Sequence, residues 1–144
     1  MARPNRNEYY LELASTVAQR STCDRRHVGA IIVRNDVIIA TGFNGAPRGL
    51  GHCDDVGHEM IGGHCVRTVN AEMNAIIHAA REGHSTIAGT LYCTDSPCYD
   101  CAKALINAGI EKIVYKYFYQ SRYEASKQTL EFLRATGITV EGPE

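Results

Sequence analysis

Two cysteines, Cys98 and Cys101, have the residue type and the spacing best suited to metal binding, and they form a Pro-Cys-x-x-Cys motif. The motif lies where a predicted strand, residues 89–94, is followed by a predicted helix, residues 98–108, and Ser96 suits the N-cap of that helix. The free N–H groups and the dipole at a helix start favour thiolate over thiol. Because two thiolates one helical turn apart can bind one zinc ion, the motif predicts a zinc site. The alternative is a redox pair or two small buried residues.

Glu72 is the second candidate, and it lies in the first turn of another predicted helix, residues 70–81. Zinc lowers the pKa of a bound water to about 7, and a neighbouring carboxylic group can accept its proton and deliver it to a substrate. Taken alone, Glu72 is better explained as a first-turn acid that complements the helix dipole. Its combination with the cysteine motif is what favours a catalytic role.

Asn70 occupies the position, two residues before Glu72, from which a third zinc ligand would come. Asparagine is among the best N-cap residues, and its amide oxygen is a poor zinc ligand beside imidazole. The sequence therefore predicts that Asn70 caps its helix and that any contact it makes with a metal is weak.

The composition is that of a single globular domain, residues 1–144. Hydrophobic residues make up 44% and charged residues 22%, and a formal net charge of −1 provides no basic surface for a polynucleotide. No stretch approaches the roughly 18 apolar residues of a membrane span, and no apolar signal segment is present. We therefore expect a cytoplasmic protein, in which the six cysteines favour metal ligation over disulfides.

Alternating helical and strand periods predict an α/β fold in which a mixed sheet has helices on both faces. The first two strands are nearly continuous in apolar residues, which predicts a hairpin covered on both faces. Residues 44–69 form a long loop that contains three histidines and two cysteines, so we expect it to be functional. The predicted elements are helix 6–20, strands 28–33 and 37–42, helix 70–81, strand 89–94, helix 98–108, strand 112–115, helix 121–136 and strand 138–140.

Five blocks of sequence resemble a known family. Two of them fit the H-x-E and P-C-x-x-C signature of zinc-dependent deaminases, with Asn70 in place of the histidine. The block 42–47 narrows the resemblance to the deoxycytidylate (dCMP) deaminase family, in which Gly-Tyr-Asn-Gly is usual. The resemblance extends from about residue 6 to 141, and its blocks are Ser21-Thr22-Cys23, Val28-Gly29-Ala30, Gly42-Phe43-Asn44-Gly45-Ala46-Pro47, Cys65-Val66-Arg67-Thr68-Val69-Asn70-Ala71-Glu72-Met73-Asn74-Ala75-Ile76 and Ser96-Pro97-Cys98-Tyr99-Asp100-Cys101-Ala102-Lys103.

The resemblance implies a cytidine deaminase-like three-layer α/β/α fold with a five-stranded mixed sheet. It implies zinc-dependent hydrolysis of dCMP, or of a 5-substituted dCMP, to dUMP and ammonia in nucleotide-pool metabolism. Glu72 would be the proton shuttle, and Cys98 and Cys101 would be the thiolate ligands of the catalytic zinc, with Asn70 a weak third ligand. The resemblance also implies a homohexamer, activation by dCTP and inhibition by dTTP, with Mg²⁺ accompanying the effector.

The resemblance further assigns residues to the substrate. Asn44 would hold the deoxyribose or the ring, while the Ala71 N–H and the Ser96 carbonyl would read the cytosine edge. Arg48 is the candidate for a phosphate or effector contact, with an ordinary surface arginine as the alternative. Tyr117 stands where many relatives have an acidic residue.

A second, structural zinc is implied because some microbial and phage members bind one through the long loop. This chain has five soft ligands around that loop, more than the four that a closed site needs. Cys23 and Cys53 are the firmest candidates, followed by His58 and Cys65, with His64 as the competitor. The alternative is a set of surface histidines and free cysteines without a metal.

Asn70 leaves two alternatives to an active enzyme. One is a catalytically inactive deaminase-fold regulator that still binds nucleotides, and the other is an enzyme that carries an introduced histidine-to-asparagine change.

A separate expectation concerns assembly. The aromatic residues Tyr115, Tyr117, Phe118 and Tyr119 predict an exposed apolar surface, which favours a homo-oligomer.

Overall fold

The structure is a computed structural model that describes residues 2–119 and 126–143. It contains one main sheet, a small hairpin and five helices within those ranges. In chain order the elements are α1 (Arg6–Ala18), β1 (Gly29–Arg34), β2 (Val37–Phe43), α2 (Cys53–Val56), β3 (Met60–Ile61), β4 (His64–Cys65), α3 (Ala71–Arg81), β5 (Thr90–Asp95), α4 (Tyr99–Asn107), β6 (Lys112–Tyr117), α5 (Ser126–Ala135) and β7 (Thr139–Glu141).

The main sheet has five strands in the order β2-β1-β5-β6-β7. Strand β1 is antiparallel to both of its neighbours, and β5, β6 and β7 are parallel. Helix α1 packs on one face, and α3, α4 and α5 cover the other. The predicted three-layer α/β/α arrangement with a five-stranded mixed sheet is therefore confirmed.

The core has two parts because successive strand residues point to opposite faces of the sheet. Ile31 packs with Tyr10 of α1 and Tyr92 of β5, whereas the adjacent Ile32 belongs to the larger cluster beneath α3, α4 and α5. Leu105 contributes to that larger cluster from α4 and is completely buried. Helices on both faces of the sheet are therefore needed to bury β1.

The β1–β2 hairpin turns at Asn35 and Asp36, whose φ values of 53° and 61° are those of the tight turns that match strand twist. The prediction that both of its strands are covered on both faces is wrong for the start of β2. Val37 is 58% exposed and Ile38 is 40% exposed. Strand β2 is the edge of the sheet, so it has a neighbouring strand on one side only.

Gly42 determines how α3 lies on the sheet. A Cβ atom at this position would collide with the carbonyl oxygen of Ala71 and the amide nitrogen of Ala75. A glycine in β2 thus allows the first turn of α3 to lie directly against the strand. This contact brings the start of α3, with Glu72, next to Asn44, two residues after Gly42.

Most bounds agree with the predicted elements to within one or two residues, and the differences that bear on the site or on the described range are these. The loop 44–69 contains α2 and the hairpin formed by β3 and β4. The helix predicted at 98–108 begins at Tyr99 with Cys98 as its N-cap. The strand predicted at 112–115 extends to Tyr117. The helix predicted at 121–136 is described as Ser126–Ala135, and its expected beginning lies outside the described residues.

The expected aromatic surface is largely absent. Tyr115 is 1% exposed and donates a hydrogen bond to the Pro143 carbonyl at 2.6 Å, whereas Tyr117 is 57% exposed. Phe118 and Tyr119 are partly buried. The prediction was wrong for Tyr115 because β6 lies between two strands, where this side chain points into the core.

None of the helices within the described ranges has the length and apolar character of a membrane span.

Candidate active site and metal cluster

A cavity of about 520 Å³ lies at the starts of α3 and α4. It brings together most of the residues predicted for catalysis and substrate binding, and the buried Cys101 lies beside it. The predicted residues that line the cavity are Asn44, Asn70, Ala71, Glu72, Ser96 and Cys98.

Asn70 stands at the N-cap of α3, but its side chain makes no capping hydrogen bond. Its Nδ2 atom instead lies 3.4 Å from Cys98 Sγ and 3.3 Å from Cys101 Sγ. The prediction that the side chain caps the helix is therefore wrong, because the two sulfur atoms offer it acceptors inside the cavity. Rotating the amide exchanges its nitrogen and oxygen, so the same side chain can present an oxygen ligand to a metal.

The two thiols of the motif interact directly. The neighbouring Cys101 thiol, together with backbone groups of Cys101 and Asp100, lowers the pKa of Cys98 to about 6 against the opposing effect of burial. The pKa of Cys101 is raised by Cys98 and by its own burial. Ionisation of one thiol therefore opposes ionisation of the other, and a bound cation would reduce this opposition. The two cysteine sulfurs are ligands that zinc favours, whereas the Asn70 amide is a poor one.

Glu72 lies beside the thiols and is 4% exposed. Burial raises the pKa of its carboxyl to about 7, while Cys101 lowers this pKa and Cys98 raises it. A carboxyl group with a pKa near neutrality can both accept and donate a proton at physiological pH, which is what a proton shuttle requires.

The side chain of Asn44 is buried and holds the segment that precedes β1. Its Oδ1 accepts a hydrogen bond from Val28 N at 2.8 Å, and its Nδ2 donates to the Arg26 carbonyl at 2.6 Å. An amide has two donor hydrogens and two acceptor lone pairs, so one of each remains for a ligand. Asn44 therefore positions residues 26–28 in addition to lining the cavity.

Ser96 is 4% exposed and does not cap α4, contrary to the prediction. Its hydroxyl accepts a hydrogen bond from Tyr119 N at 2.8 Å, and its own N–H donates to the Tyr117 carbonyl at 2.9 Å. Ser96 thus ties the chain after β6 to the cavity. Ala71, which is 1% exposed, is the first residue of α3.

Arg26 and Tyr119 are among the residues that line the cavity but that sequence reasoning did not assign to the site. Arg26 Nη2 lies 2.7 Å from Asp95 Oδ2, and the guanidinium centre lies 3.5 Å from the centroid of the Tyr119 ring. These contacts hold a positive charge at the cavity wall. The signal in the sequence was the pair Arg25-Arg26, which stands between Cys23 and the first strand.

Arg48 does not line the cavity that contains Glu72. It lines a second cavity of about 410 Å³, between the chain after β2 and the outer side of α3. Other basic or amide side chains in this second cavity are His52, Asn74, His78 and Arg81. The structure therefore does not bring Arg48 together with the predicted catalytic residues.

The loop 44–69 contributes to a compact group of possible ligands, which we call the loop cluster: Cys23, Cys53, His58 and Cys65. Their ligand atoms all lie within 4.8 Å of one another, with Cys23 Sγ 3.4 Å from His58 Nδ1 and Cys53 Sγ 3.5 Å from Cys65 Sγ. Ligands of a tetrahedral zinc ion lie about 3.5–4 Å apart. The cluster contains the four favoured candidates and excludes the competitor His64, which lines the cavity of Glu72.

The electrostatics of the loop cluster also suit a cation. Burial, together with Cys65 and Cys23, raises the pKa of Cys53 to about 12. For Cys65, burial acts in the same direction, but backbone groups of Arg67 and Glu59 and the side chains of Cys53 and His58 lower its pKa to about 6. A metal would stabilise the thiolate forms of Cys53 and Cys65. All six cysteines of the chain are free thiols.

Comparison with known proteins agrees with this geometry. The sequence model of the family described as the cytidine and deoxycytidylate deaminase zinc-binding region matches residues 4–117. The chain belongs to this family. Its deaminase relatives include the deoxycytidylate deaminase of Mycobacterium phage D29, which is 39% identical over 127 residues, or 80% of this chain and 97% of the relative.

Two further matches cover nearly the whole of this chain. ComE operon protein 2 of Bacillus subtilis is 40% identical over 141 residues, which cover 98% of this chain and 72% of that protein. The dCMP deaminase of cyanophage S-TIM5, solved in complex with dCMP and dUMP, superimposes with a TM-score of 0.83. It is 34% identical, and the match covers 99% of this chain and 100% of the phage chain.

Proposed function

We propose that this protein is a zinc-dependent deaminase that hydrolyses dCMP, or a 5-substituted dCMP, to dUMP and ammonia in the cytoplasmic nucleotide pool. The observation that carries the proposal is the convergence of Glu72, Asn70 and the cysteine pair on one cavity. The match to phage relatives named for dCMP deamination, one of them solved with dCMP and dUMP, supports the substrate.

In this proposal Cys98 and Cys101 hold the catalytic zinc, and the Asn70 amide is a weak third ligand. The bound ion supplies a Lewis acid that lowers the pKa of water towards 7. Replacing an imidazole by an amide weakens this site, because a catalytic zinc normally keeps three protein ligands. We therefore expect Asn70 to reduce activity without abolishing nucleotide binding.

Glu72 moves the protons of the reaction. Hydrolysis adds the oxygen of water to C4 of the cytosine ring, places a proton on N3 and releases the amino group as ammonia with the remaining proton. The Glu72 carboxyl, with its pKa near 7, accepts one proton from the water and passes it to N3, then accepts the second proton from the hydroxyl group at C4 and passes it to the leaving amine. Its burial excludes bulk water as a competing proton donor.

The residues around Glu72 would bind the nucleotide. Asn44 is proposed to contact the deoxyribose or the ring, and the Ala71 N–H and the Ser96 carbonyl to read the cytosine edge. Arg25 and Arg26 also line this cavity, and their positive charge suits the nucleotide phosphate.

The loop cluster is proposed to bind a second, structural zinc. The proposal is supported by four ligand atoms at distances suited to a tetrahedral ion. Apolar burial contributes little to this part of the chain, because Val56, Met60 and Ile61 are all exposed. A metal there would contribute to the free energy of folding.

The second cavity is proposed to bind the nucleoside triphosphate effectors, with dCTP as activator, dTTP as inhibitor and Mg²⁺ on their phosphates. Arg48 and Arg81 both line it, and two arginines suit a polyphosphate. The proposed assembly is a homohexamer, as the family resemblance implies.

Metal analysis beside an ultraviolet assay of dCMP turnover tests the proposed function. A second candidate, a catalytically inactive regulator that binds nucleotides, is favoured by the contact of Asn70 with both sulfurs. Turnover with zinc at the cysteine pair supports the enzyme. Binding of dCMP without turnover and without that zinc supports the regulator. A protein that binds neither zinc nor dCMP would contradict both.

A further inference from the structure

The loop cluster and the nucleotide cavity share two residues. Cys23 and Cys65 belong to the cluster and also line the cavity that contains Glu72. Cys53 and His58 belong to the cluster but are not among the residues that line this cavity. A metal in the cluster would therefore hold part of the cavity wall from outside the cavity.

One path from the cluster leads to Arg26 and Asn44. The Ser21 hydroxyl lies 3.4 Å from the Cys23 carbonyl and 3.1 Å from the Arg26 carbonyl, which closes a turn around Cys23. Asn44 Nδ2 binds the same Arg26 carbonyl at 2.6 Å. In addition, the N–H of Thr22 donates to the Asn44 carbonyl at 3.2 Å. The turn that supplies a metal ligand thus also positions two residues of the cavity.

A second path leads from Cys65 to Asn70. The chain between them forms a bridge in which Val69 and Gly45 exchange two backbone hydrogen bonds, of 2.8 Å and 3.3 Å. This bridge joins the chain that enters α3 to the residue directly after Asn44. Both cluster cysteines that line the cavity are therefore linked by short stretches of backbone to residues proposed to bind the substrate or the catalytic zinc.

Few apolar contacts could replace the metal in this region. Helix α2 has only four residues, and β3 and β4 have two each. Leu50 and Val66, which flank these elements, are 57% and 49% exposed. Ordering such a segment costs conformational entropy that its apolar burial does not offset. A metal in the cluster would therefore add to the hydrogen bonds that hold Cys23 and Cys65 in the cavity wall.

We propose that the metal of the loop cluster is a positioning element of the nucleotide cavity, so that its occupancy sets the affinity for a pyrimidine deoxynucleoside monophosphate. This inference rests on the proposed function, both for the second zinc and for the nucleotide. Since binding linkage is reciprocal, the bound nucleotide also slows loss of the metal from the cluster.

The test measures equilibrium binding of dUMP, the reaction product, so that no turnover is needed. Calorimetry is performed on the parent protein, on Cys53→Ser and on Asp54→Ala, with the zinc content of each protein. Asp54→Ala is the matched control, because it removes an exposed side chain next to the same ligand. Cys53→Ser should contain one zinc fewer than the parent and bind dUMP at least about tenfold more weakly. Asp54→Ala should match the parent in both measurements.

A Cys53→Ser protein that has lost the cluster zinc but binds dUMP as tightly as the parent would overturn the inference and leave the deaminase assignment standing. A parent without cluster zinc would overturn the second zinc and the inference together. A parent that holds cluster zinc but does not bind dUMP would contradict the proposed function itself.

A kinetic measurement keeps the inference testable if Cys53→Ser does not fold. A chromogenic chelator is added to the parent with and without saturating dUMP, and the release of zinc is followed over time. The release phase that is missing from the His58→Ala variant is assigned to the cluster zinc. That phase should slow at least about fivefold with dUMP. A rate independent of dUMP would overturn the inference.

Discussion

The cysteine pair of the active site and the loop cluster differ in how completely they can surround a metal. The cluster offers three sulfur atoms and one imidazole nitrogen, all within 4.8 Å of one another. The active site offers two sulfur atoms and the amide of Asn70 at 3.3 and 3.4 Å from them. Within residues 2–119 and 126–143, the cluster is the one place where three or more cysteine, histidine or acidic side chains converge so closely.

This difference follows from what each site has to do. A closed set of four ligands suits a metal that holds segments of the chain in place, whereas a catalytic metal must leave a position open for water and substrate. An open site has few ligands, so each one matters more. In the proposed enzyme, an amide in place of an imidazole at position 70 is therefore expected to lower turnover far more than the loss of a single ligand from the loop cluster.

The largest effect is expected from completing the open site. Asn70→His should raise dCMP turnover by about three orders of magnitude, because a third strong ligand fixes the metal that lowers the pKa of water from about 16 to about 7. The affinity for dUMP should change far less. Turnover is measured by ultraviolet absorbance and the affinity by calorimetry. A parent that already turns over rapidly, and is not improved by Asn70→His, would show Asn70 to be a competent native residue.

Glu72→Gln in the Asn70→His background should lower turnover at least about 100-fold, because the amide cannot carry the proton. Zinc content and dUMP affinity should remain close to those of Asn70→His alone. The same ultraviolet and calorimetric measurements apply, with the Asn70→His protein as the control. Retained turnover would exclude Glu72 as the proton shuttle.

Cys53→Ser removes one ligand of the closed site and should lower the stability of the protein in addition to its affinity for dUMP. We expect the thermal midpoint to fall by at least about 5 °C, roughly 2 kcal/mol for a domain of this size, since metal binding here is also folding free energy. The parent should lose a similar amount when a chelator is added, and the variant should respond less. Equal midpoints for the two proteins, both insensitive to chelator, would contradict a metal in the cluster.

The smallest effect is expected at Asp24, whose Oδ1 lies 2.8 Å from His58 Nε2. This contact orients the ring so that Nδ1 faces Cys23, and losing such a partner typically weakens metal binding about 10- to 100-fold. Asp24→Ala should therefore release cluster zinc to a competing chelator at a lower chelator concentration. Asp24→Asn should retain part of the affinity, and Asp54→Ala should match the parent. Identical release from Asp24→Ala and the parent would exclude this role.

Much of the fold and the site could be predicted from local sequence. Hydrophobic periods and helix-start residues predicted the sheet and its helices, and the spacing of Cys98 and Cys101 predicted a pair of thiols at a helix start. The ligand types around the long loop limited the cluster to five candidates, of which the structure brings four together. These inferences depend on residues close together in the chain, where residue type and spacing are sufficient.

The tertiary structure alone decided which partners these residues have. It directs the Asn70 amide to the sulfurs instead of the helix, places Arg26 in the nucleotide cavity and Arg48 in another, and includes His58 in the cluster instead of His64. Each outcome depends on how segments distant in sequence pack, as where Gly42 allows α3 to lie against β2. Residue type and spacing predict where a helix begins or a strand lies. The side chains that contact these elements are determined only when the helices pack against the sheet.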